Sequence, residues 1–165
     1  MTTKTHQLWI DCSPSELFSV LMDPASNRRW QTGVVDTRAS EPGPAKVGTT
    51  MTEVREFAGC NATIGYRLVE LEWGRRAVVR LIDGPLRGTA SYACRARDGG
   101  TEFRVTCDVT PQGRWRFAGR AVSGLLCAEL LMSCQRLKSL LEHPASSYSD
   151  QPALGRPGRQ LVTAR

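Results

Sequence analysis

The chain has 165 residues, 23% charged and 41% hydrophobic, with a formal charge of +6 at pH 7. That length gives one domain with room for a real core. It excludes a spanning helix, because the longest apolar run, 125–132, is short and holds Glu129. The cation surplus does not mark a nucleic-acid partner: the arginines are scattered rather than gathered with exposed aromatics. Setting aside Arg156, Arg159, Arg165 and Asp150 of the tail leaves 19 basic and 15 acidic residues through Glu142.

The opening MTTKTHQLWIDCS has no basic segment followed by an apolar one, so no export signal is read there and a cytoplasmic chain is expected. Residues 6–10 (HQLWI) read as a first strand. Ser13 or Ser15 then caps a helix, with Pro14 just inside its start and Glu16 in its first turn. Leu17, Phe18, Val20 and Leu21 give that helix a buried side, and Asp23-Pro24 ends it. SNRRW, 26–30, forms a second, very short helix, and Gln31-Thr32-Gly33 turns into a strand over 34–38.

Five further runs have strand character: 49–57, 61–71, 75–82, 86–97 and 101–110, separated by turn residues. Ala62, Ile64, Tyr66 and Leu68 alternate with polar neighbours, as do Ala90, Tyr92 and Cys94. Over 102–109 one face is wholly apolar and the other wholly polar, which predicts a half-buried strand. Asp98-Gly99-Gly100 makes a tight hairpin turn.

Residues 114–142 read as one long helix, roughly 43 Å at ~1.5 Å per residue. Leu126, Leu130, Cys134, Leu137 and Leu141 place an apolar stripe on one face, widened by Cys127 and Leu131. Gly119 and Gly124 loosen its first half. It predicts either a firm C-terminal half packed on the sheet with a looser half beside a cavity, or a plain amphipathic helix. Residues 143–165, rich in Pro, Ser and Gly without periodicity, are expected to be a disordered tail, leaving one domain over 1–142.

The order of elements and the stretches WIDCSPSELFSVLMDPASNRRW, Gly33-Val34, VGTTMTEVREFAG, GPLRGTASYACRA, GGTEFRVTCDVTP and a long helix ending RLKSLLE resemble the START-like superfamily. The likeness covers roughly residues 6 to 142 and is strongest for the branch called polyketide cyclase/dehydrase and lipid transport. It implies an α+β helix-grip (Bet v 1-like) fold: a curved antiparallel sheet of about seven strands around the C-terminal helix, with two short helices after the first strand. It also implies an internal cavity for a hydrophobic or amphipathic small molecule. The residues themselves lead us to expect no cofactor, no metal, no nucleic-acid partner and no stable membrane insertion, in a monomer or homodimer. The superfamily holds carriers, aromatase/cyclases and interaction modules, so binder, polyketide cyclase/dehydratase and filled-cavity interaction protein all stay open.

No nucleophile elbow, P-loop, HExxH or dinucleotide fingerprint is present. His6 and His143 stand far apart in sequence, which disfavours a His-based triad. The six cysteines show no CxxC spacing and are expected to be buried, reduced thiols. The candidate catalytic groups are Tyr66, Tyr92, Glu53 and Arg55. Tyr66 and Tyr92 fall in phase with apolar strand faces, either as donors to a ligand carbonyl or as satisfied core residues. Glu53 and Arg55 share a strand face with Met51 and Phe57. They are either an inward acid and cation, for base and oxyanion roles, or members of an outer ion-pair ladder; Arg67 and Arg80 are further charged strand positions. Trp30 is expected at the pocket mouth. The expected ligand-contacting set is Trp30, Met51, Phe57, Tyr66, Tyr92, Phe103 and Leu125. Arg114, Arg116 and Arg120 cluster at the helix start, where the dipole disfavours cations.

Overall fold

The computed structural model describes residues 2–57 and 60–143, apart from the side chains of 2, 57, 114, 115 and 118–123. The elements run β1 (Thr2–Ile10), α1 (Pro14–Leu21), a short 3-10 turn (Pro24–Ser26), α2 (Asn27–Trp30), β2 (Val34–Ala39), β3 (Thr50–Phe57), β4 (Cys60–Glu72), β5 (Arg76–Asp83), β6 (Leu86–Arg97), β7 (Gly100–Pro111), a 3-10 segment (Gly113–Ala118) and α3 (Gly119–Glu142). The seven strands form one antiparallel sheet in the order β1-β7-β6-β5-β4-β3-β2. This is the helix-grip arrangement: the sheet curves around α3, with α1 and α2 between β1 and β2.

Local chemistry accounts for the boundaries. Ser13 and Glu16 form a reciprocal capping box at α1, with Pro14 at its first position. Asp23 accepts from the Ala25 amide at 3.0 Å and holds the turn into α2. The β6–β7 hairpin closes through Asp98 and Gly99, with φ of 52° and 79°. Both are left-handed, as a two-residue turn matched to strand twist requires. Register shifts within β2–β3, between Val34 and Asp36, and within β4–β5, beside Tyr66 and after Leu68, mark bulges that bend the sheet.

At Gly88 the backbone φ is 139°, and a Cβ would stand 1.9 Å from the Asp108 carbonyl oxygen. Only glycine allows β6 to approach β7 there.

The core lies between the concave sheet face and the helices. Ile10, Leu17, Phe18, Leu68, Phe103 and Leu137 are fully enclosed. A second cluster, Ile64 and Leu86 with Leu125 and Leu126 against them, lies toward the start of α3.

Several expectations need correction. β1 begins four residues earlier than the apolar residues indicated, because Lys4 and His6 occupy its inner phase and hide the alternation. The long helix does not begin at Arg114: the chain runs as 3-10 through Ala118, and α3 begins at Gly119. The flank of the helical stripe is also different. Glu129, Ser133 and Leu140 are buried beside Cys134 and Leu137, whereas Leu131 is 42% exposed. Of the thiols, Cys94 and Cys134 are buried, Cys12, Cys107 and Cys127 half-buried, and Cys60 exposed. Arg67 and Arg80 are exposed, facing each other across β4 and β5, and neither lines the space between the sheet and α3. Of the arginines at the helix start, Arg116 is exposed, and the Arg114 and Arg120 side chains lie outside the described residues, as does the expected tail from 144 onward.

Candidate functional site

A cavity of about 150 Å³ lies between the sheet and α3. Its floor is the inner face of the strands: Val79, Leu81, Ala90, Phe103, Val105 and Cys107. Leu126 and Leu130 of α3 cover it, and Trp30 of α2 stands at its side. The same volume in an engineered apolar core admits one benzene ring.

Beside this apolar floor lies a buried polar network. Glu53, 2% exposed, points inward from β3. Its Oε1 accepts from the Tyr66 hydroxyl at 2.6 Å and from Asn27 Nδ2 at 2.9 Å. Its Oε2 accepts from Arg55 at 3.3 Å. Asn27 Nδ2 also donates to the Tyr66 oxygen at 2.9 Å. Arg55 reaches onward, donating to Gln31 Oε1 at 3.1 Å and to the Thr32 carbonyl at 3.0 Å. Its Nη2 stands 3.8 Å from the Glu129 carboxylate. Thr32 is tied to α3 through the Ser133 hydroxyl, which accepts from the Thr32 amide at 2.9 Å. Thus α2, the turn before β2, β3, β4 and α3 meet at one set of hydrogen bonds. A buried charge is tolerated where partners surround it, as here.

Glu129 differs from Glu53 in its surroundings. Burial raises its pKa above the ordinary 4.5, with Arg55 opposing part of the rise. Gly33 fits against it: a Cβ there would lie 3.2 Å from Glu129 Oε1, and the φ of 76° is itself left-handed.

The two cavity tyrosines also differ. Tyr66 is engaged with Glu53 and Asn27, and burial, then the Glu53 charge, holds its phenol protonated far above the ordinary value. Tyr92 stacks at 6.3 Å on Phe103. Its hydroxyl has no partner among the described residues, and burial likewise raises its pKa. The Trp30 indole N–H is buried and has no partner among the described residues, and neither does Arg55 Nε. The cavity thiols are inert: burial lifts Cys107 to about 11 and Cys134 to about 12.

Glu53, Arg55 and Tyr66 are therefore within direct hydrogen-bonding range, and Trp30, Tyr92 and Phe103 line the same cavity. Met51 is buried in the core behind the lining. Leu125 packs on the Ile64–Leu86 cluster, and its neighbour Leu126 takes the lining position. The Phe57 side chain lies outside the described residues. Sequence reading missed Asn27, Gln31, Thr32, Glu129, Ser133 and Lys4. The signal for Glu129 and Ser133 was helical phase, one turn on from Leu126 and Leu130. For Lys4 it was strand phase with Leu8 and Ile10.

Among the described residues no helix is long and apolar enough to cross a membrane. No group of three or more His, Cys, Asp or Glu among them could hold a metal ion.

Solved structures share this architecture. An aromatase/cyclase from Streptomyces sp. R1128, Zhui, superposes with a TM-score of 0.75 at 13% identity, over 86% of this chain and 93% of that one. The protein TTHA0849 from Thermus thermophilus gives 0.76 at 12% identity, over 88% and 100%. A START superfamily protein from Mycobacterium smegmatis gives 0.70 at 13% identity, over 85% and 97%. At these identities the likeness is one of fold. No curated protein sequence matches the chain. The family described as polyketide cyclase / dehydrase and lipid transport matches residues 1–142. By that match, over the segment that forms the sheet, the helices and the cavity, the chain belongs to the polyketide cyclase/dehydrase and lipid transport family.

Proposed function

We propose that this chain binds a small hydrophobic molecule carrying hydrogen-bond acceptors in the cavity between the sheet and α3. One observation carries the reading: an apolar cavity walled by Trp30, Tyr92 and Phe103, beside which the buried Trp30 indole N–H has no partner among the described residues. A buried donor left unpaired costs about 1–3 kcal/mol, and a ligand carbonyl or ether oxygen relieves that cost. Phe103 and Tyr92 supply the aromatic wall, Trp30 the side, and Tyr66 the boundary with the polar network.

The expected experiment is thermal unfolding against a panel of ring-sized ketones and amides, repeated with Ala90→Phe, which fills the floor. Ligand at about 100 times its Kd stabilises by ~2.7 kcal/mol. The wild type gains that stability and the variant does not. A panel that stabilises neither protein overturns the reading.

A cyclase/dehydratase-type enzyme is the second reading, favoured by one specific arrangement. Glu129 is a carboxyl with a raised pKa beside the Arg55 guanidinium, at the edge of a cavity that also holds the Tyr92 phenol. In this reading Glu129 takes a proton from a carbon between two carbonyls, and Tyr92 donates to the oxygen that gains charge. Glu53 already accepts from three donors and acts by positioning Tyr66 and Arg55. Incubation with a short poly-β-ketone and detection of a cyclised, dehydrated product tests it; unchanged substrate removes it and leaves the binder.

A further inference from the structure

Lys4 is the one lysine lining the cavity. It sits on the inner face of β1, directly opposite Cys107 of β7 in the strand ladder. The Lys4 ammonium makes no ion pair or hydrogen bond among the described residues. Its position is unlike that of Arg55, the other cation of the cavity, which faces Glu53 and Glu129 and is neutralised by them. β1 and β3 stand near opposite ends of the strand order, so these two charged groups approach the cavity from opposite sides. Between them lies the apolar floor, with Trp30 and Tyr92 on the same lining.

We propose that the ligand of this cavity is an organic acid, whose carboxylate pairs with Lys4 while its ring system lies on the floor toward Tyr92 and Phe103. The inference rests on the cavity-binding reading and adds the charge and polarity of the ligand to it. Lys4 is half-buried at the cavity and has no protein anion beside it, and a ligand carboxylate supplies that partner. Lys4 supplies a cation on the β1 side of the cavity, whereas both carboxylates lie on the far side, held at Arg55. Repulsion from Glu53 and Glu129 fixes the sense in which an acid can enter, charged end toward β1.

A matched pair of probes tests this: 2-naphthoic acid and neutral, isosteric 2-naphthamide, titrated calorimetrically into the purified full chain at neutral pH. The expected result is naphthoate binding about tenfold more tightly, the ratio of a single well-placed ion pair, with the preference shrinking as salt rises. Lys4→Gln brings the two affinities together. Lys46→Gln, at an exposed lysine paired with Glu41, keeps the wild-type ratio. Equal binding of the two probes to the wild type overturns the inference on its own, whatever the variant does. So does a preference that survives Lys4→Gln. Binding of neither probe overturns it together with the cavity reading beneath it, and that outcome is distinguishable from the others.

Discussion

At Glu53 a carboxylate 2% exposed accepts from Tyr66, Asn27 and Arg55. Replacing it by glutamine leaves the half-buried Arg55 without its nearest anion, and breaking a buried pair in this way costs about 3 kcal/mol. Tyr66→Phe removes only one of the three donors and costs about 1.5 kcal/mol. Urea unfolding of both variants checks the order, and equal losses would contradict the network described here. Glu129 makes a different prediction. Burial raises its folded pKa, so the folded chain holds that proton more tightly than the unfolded chain. Stability from this group is full below the ordinary carboxylate value of 4.5 and declines as pH rises through the folded value. Glu16 and Glu142, whose pKa values are lowered, act in the opposite sense and lose stability as pH falls. The difference between wild-type and Glu129→Gln stability profiles isolates the first effect, and it should fall with rising pH above about 4.5. The inward phase of Tyr66 and Tyr92 was legible in the sequence because they alternate with apolar neighbours, whereas Glu53, beside Arg55 on its strand face, fitted an inward acid and an outer ion-pair ladder equally. Which donors reach Glu53 was not legible, since Asn27, Tyr66 and Arg55 come from three elements that only tertiary packing brings together.

The strands and turns were the most legible elements, because two-residue periodicity and glycine-containing turns act locally. β7 follows its alternation from end to end, and Asp98-Gly99 closes the hairpin as its composition predicts. Two glycines in this region separate two kinds of constraint. At Gly99 no atom lies within 4 Å of an added Cβ, so alanine meets only the left-handed φ, at about 1–2 kcal/mol. At Gly88 the added Cβ meets the Asp108 carbonyl at 1.9 Å as well. Gly88→Ala is therefore expected to lose far more stability than Gly99→Ala and to disturb the β6–β7 amide resonances. In α3 the sign reverses. Gly124 is exposed and a Cβ there meets nothing within 4 Å, so Gly124→Ala stabilises the helix by about 0.8 kcal/mol. The helix start was illegible because the 3-10 segment Gly113–Ala118 carries no hydrophobic phase of its own. The mistaken flank at Leu131 has a related cause: two apolar flanks were available, and the helix buries the one with Glu129 and Ser133 because they bond to Arg55 and Thr32.

Over the whole molecule, the sheet, α3 and the short helices enclose a space that the side chains leave unfilled. The C-terminal end of α3 is fastened to β1: Lys138 donates to the Trp9 carbonyl at 2.7 Å, and Glu142 accepts from the Asp11 amide at 2.8 Å. The Lys138 ammonium also sits 5.2 Å from the Trp9 ring centroid. Toward its start α3 is held by the small Ile64–Leu86 cluster. The most direct measurement is native mass spectrometry of the purified full chain, stripped of anything bound and then offered 2-naphthamide or 2-naphthoic acid, beside Ala90→Phe. A one-to-one complex of the wild type with either probe, absent in the variant, is the predicted result. A wild-type chain that takes up neither compound, or an Ala90→Phe chain that takes them up equally well, would contradict binding in the cavity.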